Sequence, residues 1–161
     1  MTTSSAANRT GFIGLGNIGK PMAVHLARSE FPCTVYDINP KACEELAAAG
    51  ATVAQNPAQV ADGADYIGIC VRDDADTFAV MEGETGILAT AKRGAIIAIH
   101  STVKLETIGK LATKAAQQGV IVIDAPITGG AHGAAAKKLC YMVGGDASVI
   151  AAVEKFMLTS G

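Results

Sequence analysis

Residues 11–26 read GFIGLGNIGKPMAVHL, and the change of character within this stretch decides how the rest of the chain is read. A short apolar run at 11–15 breaks into closely spaced glycines, then resumes with Ile18, Met22 and Leu26 at helical period. The predicted order is strand, tight turn, helix. Gly14, Gly16 and Gly19 form G-x-G-x-x-G. The first glycine permits the sharp turn, the second removes a side chain where backbone must approach a pyrophosphate, and the third lets helix and strand pack closely. A helix N-terminus carries unpaired N–H groups and a partial charge of about half an elementary unit, so a pyrophosphate placed there gains hydrogen bonds and field together.

Such a spacing also arises by chance in a chain with 18 glycines among 161 residues, and a turn that binds nothing is the alternative. Context separates the two, because the motif is informative after a strand, before a helix and with an acidic residue about 20 positions later. Asp37 meets the last condition, ending the apolar run 33–36. The expectation is a dinucleotide site built on Gly14, Gly16, Asn17, Ile18 and Gly19.

The length suits one domain with a substantial core. Half the residues are hydrophobic but only 4% are aromatic, a composition that suits helices packed closely on a buried parallel sheet. A net charge of -2 with mixed signs offers no basic stripe for nucleic acid, and no apolar run approaches the roughly 18 residues of a membrane span. Residues 1–9, small and polar, read as a disordered leader before a domain at 10–161; they contain no apolar segment of a secretory signal. Cys33, Cys43, Cys70 and Cys140 lack C-x-x-C spacing, so neither zinc site nor disulfide framework is expected, and a cytoplasmic location is.

In order, strands are expected at 33–37, 52–54, 65–71, 95–99, 120–124 and 139–143. Helices are expected from Pro40 to about Gly50, after Asn56 and Pro57, at 105–118, at 131–138 and at 146–158, with helix and loop mixed at 75–90. The 52–54 strand reads as isolated. Strand and helix alternate with short connections, which predicts an α/β, doubly wound, mostly parallel sheet of the Rossmann type. Ligands in such sheets bind beyond the carboxyl ends of the strands. The groups ending the strands are therefore the candidate site: the glycine turn, Asp37, Val71 with Arg72 and Asp73, Ser101 with Thr102, and Thr128 with Gly129 and Gly130.

Asp37 at a strand end suits recognition of a ribose diol, although it could instead cap the helix at Pro40. A carboxylate there repels a 2′-phosphate and no arginine follows it immediately, so NAD is favoured over NADP, with Arg72 near enough to alter the balance. Ser101 and Thr102 serve either the cofactor or the N-terminus of the following helix. His100, ending a buried strand, reads as a hydrogen-bonded terminator and not as an acid or base.

The second informative stretch is DAPITGGAHGAAAKKLCYMVGG at 124–145. Pro126 stops a strand, and the hydroxyl of Thr128 with the bare N–H groups of Gly129 and Gly130 could hold a carboxylate. With both stretches in view the chain resembles the β-hydroxyacid dehydrogenases, which include 3-hydroxyisobutyrate dehydrogenase and, more distantly, 6-phosphogluconate dehydrogenase. Residues 11–26 are similar to that family's G-x-G-x-x-G-x-P-M-A opening, and DAPITGG followed by MVGG is similar to its D-A-P-V-S-G-G and M-V-G-G.

The resemblance implies hydride transfer between a nicotinamide and a small 3-hydroxy acid. Thr128, Gly129 and Gly130 would hold the substrate carboxylate, Ser101 and Thr102 would lie near the nicotinamide, and Val71, Arg72 and Asp73 would line the cofactor. Two departures stand out: Thr128 replaces the usual serine, and Lys137 and Lys138 stand where glycine-threonine is common. The family's catalytic lysine would lie beyond Gly161, at the start of an all-helical second domain absent from these residues. No catalytic residue is therefore expected here, the 161 residues alone are expected to be inactive, and an apolar surface left near the last helix is expected to favour homo-oligomers. A semialdehyde or imine reductase preferring NADPH, or a free-standing NAD-binding module, is the alternative.

Overall fold

The computed structural model describes residues 8–161. Six strands form one parallel sheet: β1 (Thr10–Ile13), β2 (Cys33–Tyr36), β3 (Thr52–Val53), β4 (Tyr66–Ile69), β5 (Ile96–Ile99) and β6 (Ile121–Asp124). Their spatial order is β3-β2-β1-β4-β5-β6, the doubly wound arrangement expected from the alternating pattern. The helices are α1 (Gly19–Ala27), α2 (Glu44–Ala48), α3 (Pro57–Ala61), α4 (Asp74–Met81), α5 (Leu105–Ala116), α6 (Gly130–Ala135) and α7 (Ala147–Met157). A two-stranded antiparallel ribbon, β7 (Ile127–Thr128) with β8 (Cys140–Tyr141), follows β6.

The continuous apolar runs are strands covered on both faces. Phe12, Tyr66 and Ala98 face one core with Met22, Leu26, Val35, Leu46 and Phe156. Their chain neighbours Ile13, Ile67, Ile97 and Ile99 face the other, with Val60, Met81, Ile87 and Leu111. Successive side chains alternate across a strand, so a run such as YIGI fills both cores at once.

Several elements differ from the sequence reading. The helix expected from Pro40 is a 3-10 turn at Pro40–Cys43 followed by one short helix, α2, with Asn39 accepting the Lys41 N–H as its cap. The strand read as isolated pairs with β2 through Thr34–Thr52 and Val35–Val53. The mixture of helix and loop expected at 75–90 is present, its helix being α4, which Asp73 begins by accepting the Asp76 N–H at 2.9 Å.

The expected leader at 1–9 lies almost wholly outside the described residues. Its last member, Arg9, donates its N–H to Asp65 Oδ2 at 2.9 Å and accepts the Asp65 N–H at 2.8 Å. No helix among the described residues is long and apolar enough to cross a membrane.

Candidate functional site

The chain leaves β1 to one side for β2 and β3, then returns to lay β4 on the other side. This reversal between β1 and β4 opens a crevice at their carboxyl ends. The pairing Ile13–Ile69 brings Gly14 and Cys70 out at one level. A cleft of about 520 Å³ lies there, lined on one side by Gly14, Gly16, Asn17, Ile18 and Gly19 and on the other by Cys70, Val71 and Arg72, with Asp37 at its edge.

Two of the three glycines are required by the fold itself and the third is not. Gly14 has φ +93°, and a Cβ on it would overlap the Cys70 carbonyl; a Cβ on Gly19 would overlap the carbonyl of Gly14 itself. Both are demanded by the protein's own packing. Gly16 has no positive φ, and a Cβ there would meet nothing within 4 Å. Its bareness serves no contact within the chain and leaves open the space in front of the α1 N-terminus. That is the fit expected of a cradle for a pyrophosphate.

Asp37, half-buried, is already hydrogen-bonded within the chain through both oxygens. Its Oδ2 accepts the Leu15 N–H at 2.6 Å and its Oδ1 accepts the Asn39 N–H at 2.8 Å. The carboxylate thus braces the glycine turn and starts the turn that follows β2, and each oxygen keeps a lone pair for a ligand hydroxyl. It does not cap the Pro40 turn, which Asn39 does.

Arg72 lines the same cleft, but Asp76 Oδ2 and Oδ1 accept from its Nε and Nη2 at 2.6 and 3.0 Å. That pair holds the half-buried Asp76 carboxyl below its usual range. A second hollow, about 450 Å³, lies across the glycine turn and shares Gly16, Asn17 and Asn39 with the first while adding Lys20 and Lys41.

The remaining candidates lie outside the cleft lining. Asp73 is committed to starting α4. Ser101 is buried, and its Oγ accepts the Val71 N–H at 2.9 Å, tying the end of β4 to the end of β5. Thr102 is exposed. Neither caps α5; Asp74 of α4 does so from outside, Oδ1 accepting the Lys104 N–H at 3.0 Å and the Thr107 hydroxyl. Thr128 is a strand residue opposite Cys140, not part of an open loop. Gly129 (φ +122°) makes the turn and Gly130 (φ +59°) begins α6, both exposed.

His100 is fully buried and uninvolved in the cleft. Its Nδ1–H donates to the Ala125 carbonyl at 2.9 Å, leaving Nε2 to accept the Tyr66 hydroxyl at 3.0 Å, and its ring stacks on Phe12. Burial lowers its pKa to about 4, so it is a neutral terminator of β5. Gly68 leaves room for this stack: a Cβ there would lie 2.8 Å from the Phe12 ring and 3.2 Å from His100 Nε2.

Asn39, read with Asp37 as ending its strand, also lines the cleft, whereas sequence reasoning missed Tyr36, Ile38, Ala79 and Val80, which complete it beyond Asp37. Ile38 is 79% exposed, a flat apolar flank beside a hydrogen-bonding carboxylate. The available signals were the placement of Ile38 directly after Asp37 and the acidic first turn of α4, Asp74 and Asp76, which marks a helix start.

Comparison with known proteins agrees with this geometry. Residues 9–161 match the family described as the NAD binding domain of 6-phosphogluconate dehydrogenase. The mitochondrial 3-hydroxyisobutyrate dehydrogenase of Rattus norvegicus is 37% identical over 98% of this chain and 48% of its own length. The 3-hydroxyisobutyrate dehydrogenase of Mycobacterium tuberculosis, solved with L-serine, superposes with TM-score 0.88 at 28% identity, over 96% of this chain and 52% of that one. Psf3, solved with NADP+ and 2-OPP, superposes with TM-score 0.88 at 27% identity, over 94% of this chain and 54% of its own. The chain spans about half the length of the relatives it matches. A cleft at the strand reversal, a turn with one glycine that no contact within the chain requires and a family match over nearly all the described residues converge: the chain belongs to the family of the NAD binding domain of 6-phosphogluconate dehydrogenase, with 3-hydroxyisobutyrate dehydrogenases among its relatives.

Proposed function

We propose that these residues form the cofactor-holding half of an oxidoreductase that moves a hydride between a nicotinamide dinucleotide and a small 3-hydroxy acid. The observation that carries the reading is Gly16, bare where the protein needs no bareness. Gly14, Gly16, Asn17, Ile18 and Gly19 hold the pyrophosphate against the α1 N-terminus, Asp37 accepts from the adenosine ribose, and Ile38 with Ala79 and Val80 flanks the base. Val71, Arg72 and Asp73, then Ser101 and Thr102, continue this path along the ends of β4 and β5. The bound nicotinamide supplies the hydride acceptor or donor.

Thr128, Gly129 and Gly130 hold the substrate carboxylate, a role supported by the family resemblance and by a relative solved with L-serine. The methyl of Thr128, where serine is usual, narrows that site. The alcohol proton is handled by a lysine outside these 161 residues, so the residues bind cofactor without turnover. Four free cysteines without paired spacing support a cytoplasmic location, and exposed Met142 and Leu158 support self-association.

NAD is the preferred cofactor, because Asp37 faces the position of a 2′-phosphate and Arg72 is neutralised by Asp76. A second reading, use of NADP by a semialdehyde or imine reductase, is favoured by one observation: Lys20 and Lys41 line the hollow that adjoins the glycine turn. Calorimetric titration with NADH and NADPH tests both. Tighter NADH supports the first reading, tighter NADPH the second, and no heat with either at millimolar concentration overturns the cofactor role.

A further inference from the structure

The half-buried His25 lies on α1, almost two turns beyond the glycine turn. Its Nε2 is 3.1 Å from the carbonyl oxygen of Ala134 and 3.1 Å from that of Ala135. Carbonyls only accept, so Nε2 carries a proton and donates to both. These two residues close α6, and their carbonyls belong to the set a helix end leaves without intrahelical donors. Part of that set is served by the chain itself: Gly133 accepts the Lys138 N–H at 2.9 Å, and Ala134 accepts the Lys137 N–H at 3.3 Å besides His25, which leaves Ala135 as the carbonyl that His25 alone supplies among these.

A helix of six residues is too short to hold itself in place, since helix nucleation is costly and tertiary contacts must supply the stability. At about 1.5 Å of rise per residue its ends lie roughly 9 Å apart. Whatever fixes the carbonyl end therefore also places Gly130 and the Gly129 turn at the other. The same α1 carries the glycine turn at its own N-terminus and His25 near its C-terminus.

We infer that His25 is a positioning residue that sets the 128–130 segment against the glycine turn, one rigid helix serving both. The functional consequence rests on the reading of 128–130 as the carboxylate site.

Hydrogen exchange on the 161-residue chain with NADH tests this in wild type, His25→Ala and His25→Gln, the glutamine amide being able to donate to the same carbonyls. The expected result is exchange about 5–10-fold faster across 128–138 in His25→Ala, matching the loss of about one net hydrogen bond. NADH protection of residues 14–20 stays unchanged, and His25→Gln returns to wild-type rates. Unchanged exchange at 128–138 in His25→Ala, equal acceleration throughout the sheet, or a folded His25→Gln that fails to restore protection would each overturn the inference. Adding 3-hydroxyisobutyrate separates it from the reading beneath it. If wild-type 128–135 does not respond while the two variants behave as expected, the carboxylate assignment falls and the positioning by His25 stands.

Discussion

The two glycine-rich turns of this fold both lead into helices, yet they are held in opposite ways. The turn at 14–19 is fixed by what its residues lack: Gly14 and Gly19 let backbone lie against backbone, with one carboxylate, Asp37, as brace. The segment at 124–136 is fixed by side chains reaching in from elsewhere, His100 to the Ala125 carbonyl and His25 to those of Ala134 and Ala135. The first turn faces a cleft built by this chain. The second presents its glycines to solvent. The first turn has no room for a Cβ at Gly14 or Gly19, whereas the second segment is reached by imidazoles, of which the buried His100 responds to acid.

The largest expected effect separates the glycines of the first turn. Gly14→Ala and Gly19→Ala force a Cβ into backbone and should destabilise by several kcal/mol, on the order of 3–5, as read by urea denaturation. Gly16→Ala should leave stability within about 0.5 kcal/mol while NADH affinity drops by at least about tenfold. If Gly16→Ala binds NADH as the wild type does, the first turn is structural throughout and the contrast collapses.

Next comes the acid response of the second segment. Folded His100 titrates near 4 against 6.5 for the free side chain, because burial disfavours the charged ring. Between those values the unfolded chain binds a proton that the folded chain excludes. Stability from this group is therefore complete above pH 6.5 and declines as pH falls, by about 1.4 kcal/mol per unit and roughly 3 kcal/mol in all. Urea midpoints from pH 7.5 to 4.5 should fall more steeply for wild type than for His100→Gln, which has no imidazole to protonate. Parallel slopes would remove His100 from the account.

The contrast was only half legible in the sequence. Gly14, Gly19, Asp37 and the strands were readable because their signals are local: spacing, a strand-end acid and apolar runs that must be covered on both faces. The cap on α5 was not, since Asp74 supplies it from α4; nor was the partner of Ser101, a backbone N–H from the next strand. Of the ribbon, β8 lies within the strand expected at 139–143, while β7 has two residues, too few for any periodicity. His25 and His100 show the same limit, for each acts on a carbonyl more than 20 residues away.

Smaller than the acid effect is the change expected at Asp37. On the proposed reading, removing the carboxylate loses an acceptor for the ribose together with the brace on the Leu15 N–H. Asp37→Ala should weaken NADH about tenfold, the size of one hydrogen bond to a charged group. Asp37→Asn keeps an oxygen for Leu15 and lifts the charge, so the ratio of NADPH to NADH affinity should rise. Calorimetry reads both; an unmoved ratio in Asp37→Asn would show that the carboxylate braces the turn without selecting the cofactor.

The smallest effect sharpens the comparison from the other side, at the end of α6. Lys137 is the one described non-glycine residue with positive φ, +56°, in the position where a helix stopping with this pair of bonds favours glycine. Lys138 N–H to Gly133 and Lys137 N–H to Ala134 are those bonds. The family resemblance implies glycine at this position, and the backbone supplies a reason: a left-handed residue with a Cβ costs about 1–2 kcal/mol. Lys137→Gly relieves that strain, but the freer unfolded chain offsets about 0.4–1 kcal/mol of the gain. The net expectation is stabilisation of about 0.5 kcal/mol, visible as a small rise in Tm. Exchange across 133–138 should slow while the glycine turn at 14–19 is untouched. A loss of stability would mean that the Lys137 side chain holds this corner, and that the second segment depends on three side chains where the structure shows two histidines.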